Sequence, residues 1–290
     1  MKSNFFFVIA AMFMFVSCMG IFEMDATTDF DETYDVFSAT TESDAATRTS
    51  LSDYSNEDGS YSLNWSSGDA ISIYDGKGTA VYSTNDSYTS TAEFFLEKGQ
   101  VSNNASQYVA FYPSTITTSN MVLPSAQNYV NKNVENFPMR AVSSSKELEF
   151  KNLCGILRFC LKADESGKVK ISSISLSADK GMSGKFTVGN DNAAIVTGTD
   201  GVVLNCSDPK SLYTATATDF NIIVPQGSYN PLKVKICDVN GNEINLVSEG
   251  TVSVKRSEIT RISLTLGKSA FGASLETIPI TDSDVDFTER

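Results

Sequence analysis

The sequence predicts an all-β protein built as two successive sets of short strands. Three observations carry this expectation. Apolar and polar residues alternate with period 2 in many short runs, the gaps between runs are rich in Gly, Asn and Asp, and no long stretch keeps a helical apolar period. With 290 residues, 41% of them hydrophobic, the chain can bury a substantial core and is long enough for two domains.

The seam between the sets is the stretch FKNLCGILRFCL at residues 150–161. Read as a strand, it places Leu153, Leu157, Phe159 and Leu161 on one face and Cys154, Ile156, Arg158 and Cys160 on the other. A helix can also be drawn through Leu153, Ile156, Leu157, Cys160 and Leu161. The internal Gly155, the short run and the alternating neighbours favour the strand.

Residues 1–18 read as an export signal: Lys2, then an apolar run from Phe5 to Val16 too short to span a bilayer with margin, then Ser17-Cys18. A cysteine after a small residue at the close of such a run resembles the end of a bacterial lipoprotein signal, with Cys18 as the acylated first residue. Phe15 departs from the usual Leu, and an ordinary cleaved signal or a membrane anchor are the alternatives.

Residues 19–48 form an acidic tether or propeptide, carrying Glu23, Asp25, Asp29, Asp31, Glu32, Asp35, Glu42 and Asp44 against the single Arg48. Within it Tyr34, Val36, Phe37 and Ala39 can make one weak strand before a polar loop. The formal charge of the whole chain is −13. The first 48 residues hold 8 of 35 acids and 2 of 22 bases, so the remainder keeps −7. Such acidity argues against nucleic acid, whose phosphates are met by basic surfaces.

The first domain is expected over 49–152. Its strands are read at 61–65, 70–74, 79–82, 91–95 and 107–112, the last stopped by Pro113, with an irregular Pro124-broken crossing at 121–129. The second domain, over 153–290, has strands at 168–177, 184–188, 193–196, 201–204, 219–224, 232–238, 243–247 and 259–266, and an acidic tail. Ile174 and Leu176 fall out of phase with Val169 and Ile171, which marks a bulge.

The chain contains no histidine, which removes Ser-His-Asp and Cys-His catalysis and every imidazole metal site. No catalytic residue, metal or cofactor is predicted. After export Cys154, Cys160, Cys206 and Cys237 remain. Six residues along one strand separate the first two by about 20 Å, beyond disulfide reach, so free thiols are expected, with a Cys206–Cys237 bridge open. Residues 179–186 imitate a phosphate loop, but Asp179 stands where its first Gly belongs and Phe186 where its Ser/Thr belongs. The stretch Asp238-Val-Asn240-Gly241-Asn242-Glu243 has calcium-type ligands at the wrong spacing and reads as a hairpin turn. Trp65, the only tryptophan, is assigned to the core rather than to sugar stacking.

A set of short motifs, in order, resembles the fimbrillin-like lipoprotein family of Bacteroidetes, the major and minor fimbrium subunits. They are Phe37-Ser-Ala-Thr with Thr47-Arg48-Thr49, Trp65-Ser-Ser-Gly68-Asp69-Ala-Ile71-Ser-Ile73, Phe111-Tyr112-Pro113, Leu123-Pro124 with Gln127, and Pro138-Met139. The seam, Ile174-Ser-Leu176-Ser-Ala178, Gly184-Lys185-Phe186 and Ile223-Val224-Pro225-Gln226-Gly227 complete them.

The resemblance implies two tandem transthyretin-like β-sandwich domains, export as a palmitate-bearing lipoprotein to the outer membrane, and assembly with other fimbrial subunits, as homo- or heteropolymer, into adhesive surface fimbriae. It implies processing by an Arg-specific protease, carried here to the Arg48–Thr49 bond. Strand donation by a neighbour is the expected assembly step. The candidate donor is the tail after Gly267, where Phe271, Ala273 and Leu275 share a face. The alternative is a surface lipoprotein that does not polymerise and binds glycans or host ligands.

Overall fold

The computed structural model describes residues 35–42, 64–131, 133–165 and 168–267. All regular structure among them is β-strand, in agreement with the alternating pattern. Nine strands precede the seam: β1 (Val36–Thr41), β2 (Ala70–Tyr74), β3 (Thr79–Ser83), β4 (Thr91–Gly99), β5 (Tyr108–Tyr112), β6 (Val122–Leu123), β7 (Ala126–Asn128), β8 (Met139–Ser143) and β9 (Glu147–Asn152). Seven of them close into a barrel in the order β1-β4-β3-β2-β5-β8-β9. The strand spacing alone fits a sandwich or a barrel, and the family resemblance implies a sandwich; the observed sheet is a barrel. Closure comes from β1, which pairs antiparallel with β4 and parallel with β9, and leaves neither neighbour an open edge on that side.

Eleven strands follow: β10 (Cys154–Ala163), β11 (Lys170–Ser177), β12 (Gly184–Val188), β13 (Ala194–Val196), β14 (Val202–Ser211), β15 (Thr218–Pro225), β16 (Gly227–Tyr229), β17 (Lys233–Asp238), β18 (Glu243–Val247), β19 (Val252–Val254) and β20 (Ile259–Leu266). The sheets β15-β10-β20 and β18-β17-β11-β14-β7 enclose one apolar core, to which β10, β11, β15, β17 and β20 all contribute side chains. The expected bulge lies in β11, where both neighbouring registers shift between Ile171 and Ser173.

The crossing segment ties the halves together. β6 pairs with β12, and β7 runs parallel to β14. Gln127 adds an imitation strand contact: its amide donates to the Ile223 carbonyl at 2.7 Å and accepts from the Ile223 N–H at 2.9 Å.

The seam is a strand, as period 2 and Gly155 suggest. β10 sits between antiparallel β15 and parallel β20. Leu157, Phe159 and Leu161 face the second core, but Leu153 joins Cys154 and Ile156 in the barrel core. The phasing breaks at Leu153 because the chain leaves β9 and enters β10 there, between the two cores. The opposite face of β10 is also covered. Arg158 is 4% exposed, its Nε donating to Asn221 Oδ1 at 2.8 Å, and Asn221 Nδ2 in turn donates to the Asn133 carbonyl at 3.1 Å.

Gly155 is required by a close approach. A Cβ there would lie 2.2 Å from the Lys255 carbonyl oxygen and 2.7 Å from Val254 Cγ1. A side chain would therefore push away the turn that joins β19 to β20. Cys154, Cys160, Cys206 and Cys237 are all free thiols, so the Cys206–Cys237 bridge is not formed. Burial raises the Cys154 thiol well above its usual range and pushes Cys160 and Cys206 up to about 11, so none is a ready nucleophile.

Candidate functional site

The most completely specified local structure is the seat of β1. Its burial alternates along the strand, with Phe37, Ala39 and Thr41 inward. Phe37 is fully buried and meets the rings of Tyr82 and Tyr108 edge-on, at centroid distances of 4.9 and 5.0 Å. Lys146 Nζ lies 5.5 Å above its ring.

Ala39, the next inward residue, is fully buried, and Trp65 holds its backbone. The indole Nε1 donates to the Ala39 carbonyl at 2.9 Å, and the ring sits edge-on to Phe94, Tyr112 and Phe150. Trp65 is thus a buried anchor for β1, with no face free for a sugar. Backbone pairing runs the full strand, from Val36 opposite Phe95 to Thr40 opposite Thr91 on β4, and from Ser38 beside Glu147 to Thr41 beside Phe150 on β9.

Both ends of β1 carry an acid that is held by a base. At the start, Asp35 accepts from Lys146 Nζ at 2.6 Å and from the Tyr82 hydroxyl. At the end, Glu42 takes both prongs of Arg256, Nη1 to Oε2 at 2.6 Å and Nη2 to Oε1 at 3.2 Å. The Asn152 N–H and the Ser257 hydroxyl also donate to Glu42 Oε2, at 3.1 and 3.2 Å. Burial by itself raises the Glu42 carboxyl, but Arg256 and the Asn152 N–H outweigh it and hold the group below its usual value of 4.5.

The base comes from a strained turn. Ser257 has φ of +63°, a left-handed conformation that costs a non-glycine residue energy and persists because its surroundings hold it. Its N–H donates to the Cys154 carbonyl at 3.0 Å, which fixes the turn on the first residue of β10. Two of the eight acids read as tether charge, Asp35 and Glu42, therefore have structural partners. Sequence reasoning missed Arg256 and Lys146, because each lies more than a hundred residues from the acid it meets and carries no local signal.

The residues singled out from sequence, Cys18, Arg48, Thr49, Phe271, Ala273 and Leu275, lie outside the described residues. The chain order still sets one relation: β1 ends at Thr41, so it lies wholly before the Arg48–Thr49 bond. A cut there leaves the strand held only by non-covalent contacts.

Other motifs settle into structural roles. Asp238 caps the β17–β18 turn, accepting the N–H groups of Asn240 and Asn242, each at 2.8 Å, with Gly241 at φ +82°. Phe186 is buried in the barrel core, and Gly184 pairs with Leu123. Among the described residues no group of three or more acidic or cysteine side chains could hold a metal. An open cleft of about 470 Å³ lies beside Tyr129, Tyr213, Lys210 and Asp219, with Lys210 Nζ 5.2 Å above the Tyr129 ring and Tyr213 exposed.

No family model matches the chain, and no curated protein matches it. Solved structures do. A candidate cell adhesion protein from Bacteroides ovatus ATCC 8483 superposes with a TM-score of 0.54 at 13% identity, covering 82% of this chain and 94% of that one. A candidate cell adhesion protein from Bacteroides uniformis ATCC 8492 gives 0.49 at 18% identity over 81% and 94%. The tip fimbrial protein Mfa3 from Porphyromonas gingivalis, with a C-terminal truncation, gives 0.33 at 11% identity over 79% and 95%. The first of these shares the fold, and the structural neighbours as a group are candidate adhesion proteins and fimbrial proteins.

Proposed function

We propose that this chain is a structural and adhesive subunit of cell-surface fimbriae, exported as a lipoprotein on Cys18, freed by cleavage between Arg48 and Thr49, and assembled by strand exchange into the seat of β1. The fibre then holds other fimbrial subunits as partners and is displayed at the outer membrane, and the two halves take the place of the family's tandem transthyretin-like domains. One observation carries the reading. β1 closes the barrel from both sides and buries Phe37 and Ala39, yet it lies entirely before Arg48. Its loss would leave β4 and β9 with unpaired backbone edges beside an apolar slot, the arrangement that accepts a strand from a neighbour.

The test is to cut the purified protein after Arg48 and separate the products without denaturant. Ladders of cut subunit, absent before cutting, support assembly by exchange, and cut protein that stays monomeric at high concentration contradicts it. Acylation is checked separately by radiolabelled palmitate, with Cys18→Ala as the control that should lose both label and membrane association. A second reading, a surface lipoprotein that binds glycans, is favoured by the cleft of Tyr129, Tyr213 and Lys210, where the exposed Tyr213 ring stands beside polar and charged groups. It is checked by glycan binding to uncut protein and to a Tyr213→Ala variant.

A further inference from the structure

A further cleft, of about 400 Å³, opens where the crossing segment joins the two halves. Its volume lies in the range of small-molecule sites, which favour such junctions. The floor is apolar: Ile116, Leu123, Val134, Met182 and Ile223 line it, each almost fully buried. The walls are pinned. The Ser72 hydroxyl donates to the Ile116 carbonyl at 2.5 Å, the Leu153 N–H donates to the Pro138 carbonyl at 2.9 Å, and β6 and β7 are held by β12 and β14. The cleft is therefore formed before any ligand arrives.

Its polar groups are of two kinds. Gln127 is spent on the Ile223 backbone, and the buried Asn221 on Arg158 and the Asn133 carbonyl. Asn128, Glu135 and Asn136 are exposed at the mouth, and among the described residues no hydrogen bond engages their side chains. No Lys or Arg is among the described residues that line the cleft.

This chemistry narrows the occupant. A purely apolar ligand would desolvate the amides and the carboxylate at the mouth without pairing them. A phosphate, sulfate or uronate would meet Glu135 with no facing cation, on a chain of formal charge −13. A ring whose edge carries hydroxyls, each able to donate and to accept, and whose faces carry C–H groups satisfies both mouth and floor.

We propose that this cleft binds a short uncharged saccharide, with its C–H faces on Ile116, Val134 and Ile223 and its hydroxyls on Asn128, Glu135 and Asn136. The inference rests on the adhesive part of the reading above, not on strand exchange, and adds a site and a ligand class. The cleft shares no lining residue with that of Tyr213, so substitutions can separate the two.

Ligand-observed NMR on the full-length protein tests it. N-acetylglucosamine, galactose, mannose and lactose are the neutral probes, glucuronic acid the anionic and glucosamine the cationic counterpart. Neutral probes should receive saturation from the protein, and glucuronic acid should receive none. Asn128→Ala and Glu135→Gln, both at exposed positions, should each weaken binding about two- to tenfold, as loss of one ligand hydrogen bond implies. Thr115→Trp, which fills the mouth from an exposed position, should abolish it. Tyr213→Ala should leave it unchanged, and an unaltered thermal midpoint shows that each variant is folded. Binding that survives the cleft variants but is lost in Tyr213→Ala overturns this site and supports the second reading above. Preference for glucuronic acid or glucosamine overturns the ligand class. No transfer to any neutral probe overturns the inference, while fibre assembly is judged by the ladders of cut subunit, so the two fail separately.

Discussion

Arg256, in the turn between β19 and β20, grips Glu42, the residue that follows β1, through two hydrogen bonds of 2.6 and 3.2 Å across a separation of 214 residues. The pair joins the first described strand of the barrel to the turn between β19 and β20 in the second half. Arg256, the Asn152 N–H and the Ser257 hydroxyl all donate to this carboxylate just beyond the end of β1, so its loss should loosen the strand without disturbing the two cores.

Glu42→Gln should lower stability by about 1.5–3 kcal/mol, the range for hydrogen bonds to a charged group in a partly buried site. Phe37→Ala, which removes a fully buried ring, should cost about 3–5 kcal/mol. Urea unfolding of the uncut protein measures both. A Phe37→Ala cost below about 1 kcal/mol would mean that β1 contributes little to the barrel.

Acid should weaken the same clasp. The folded-state value of Glu42 is depressed below 4.5, so the stabilisation is complete above about pH 4.5 and is lost as pH falls through the depressed value. Protein cut after Arg48 should therefore release its β1 fragment faster in acid, and Glu42→Gln should flatten that dependence. Native mass spectrometry over a pH series reads the fraction retained. A release rate with the same pH profile in both proteins would remove Glu42 as the titrating group.

The class, most of the strands and the seam were legible because each rests on a local pattern. Ile259–Leu266, Gly184–Val188 and Glu243–Val247 follow the alternation to the residue, and the bulge near Ser173 showed in the phase of Ile174 and Leu176. β8 and β9 were missed for different reasons: Val142 is an apolar residue on an exposed position, and β9 alternates cleanly but its end, from Phe150 to Asn152, reads as part of the seam. The barrel closure and the Glu42–Arg256 clasp were not legible, because both depend on contacts between distant parts of the chain. Acidic residues such as Asp35 and Glu42 look like solvated charge until their partners are placed beside them.

Gly155→Ala should act on the clasp from a distance. The added methyl would meet the Lys255 carbonyl, so the turn carrying Arg256 and Ser257 must shift. A loss of about 1–3 kcal/mol is expected from such overpacking, together with faster release of β1 from cut protein. Unchanged release would show that the turn moves without Arg256.

At the seam, Phe159→Ala should cost about 3–5 kcal/mol, because the ring is fully buried in the second core. Arg158→Ala removes a buried partner of Asn221, and a loss of about 1–3 kcal/mol is expected from the amide oxygen left behind. Denaturant midpoints at constant m-value separate the two. Equal and small effects would mean that β10 is not the shared wall of the second core.

The central claim is that β1 is a temporary occupant of its seat. N-terminal sequencing of the chain recovered from its native cell surface in assembled form tests it most directly. The account predicts a mature start at Thr49, with Val36–Thr41 absent from the fibre. Assembled protein that still begins before Asp35, with β1 in place, would contradict it.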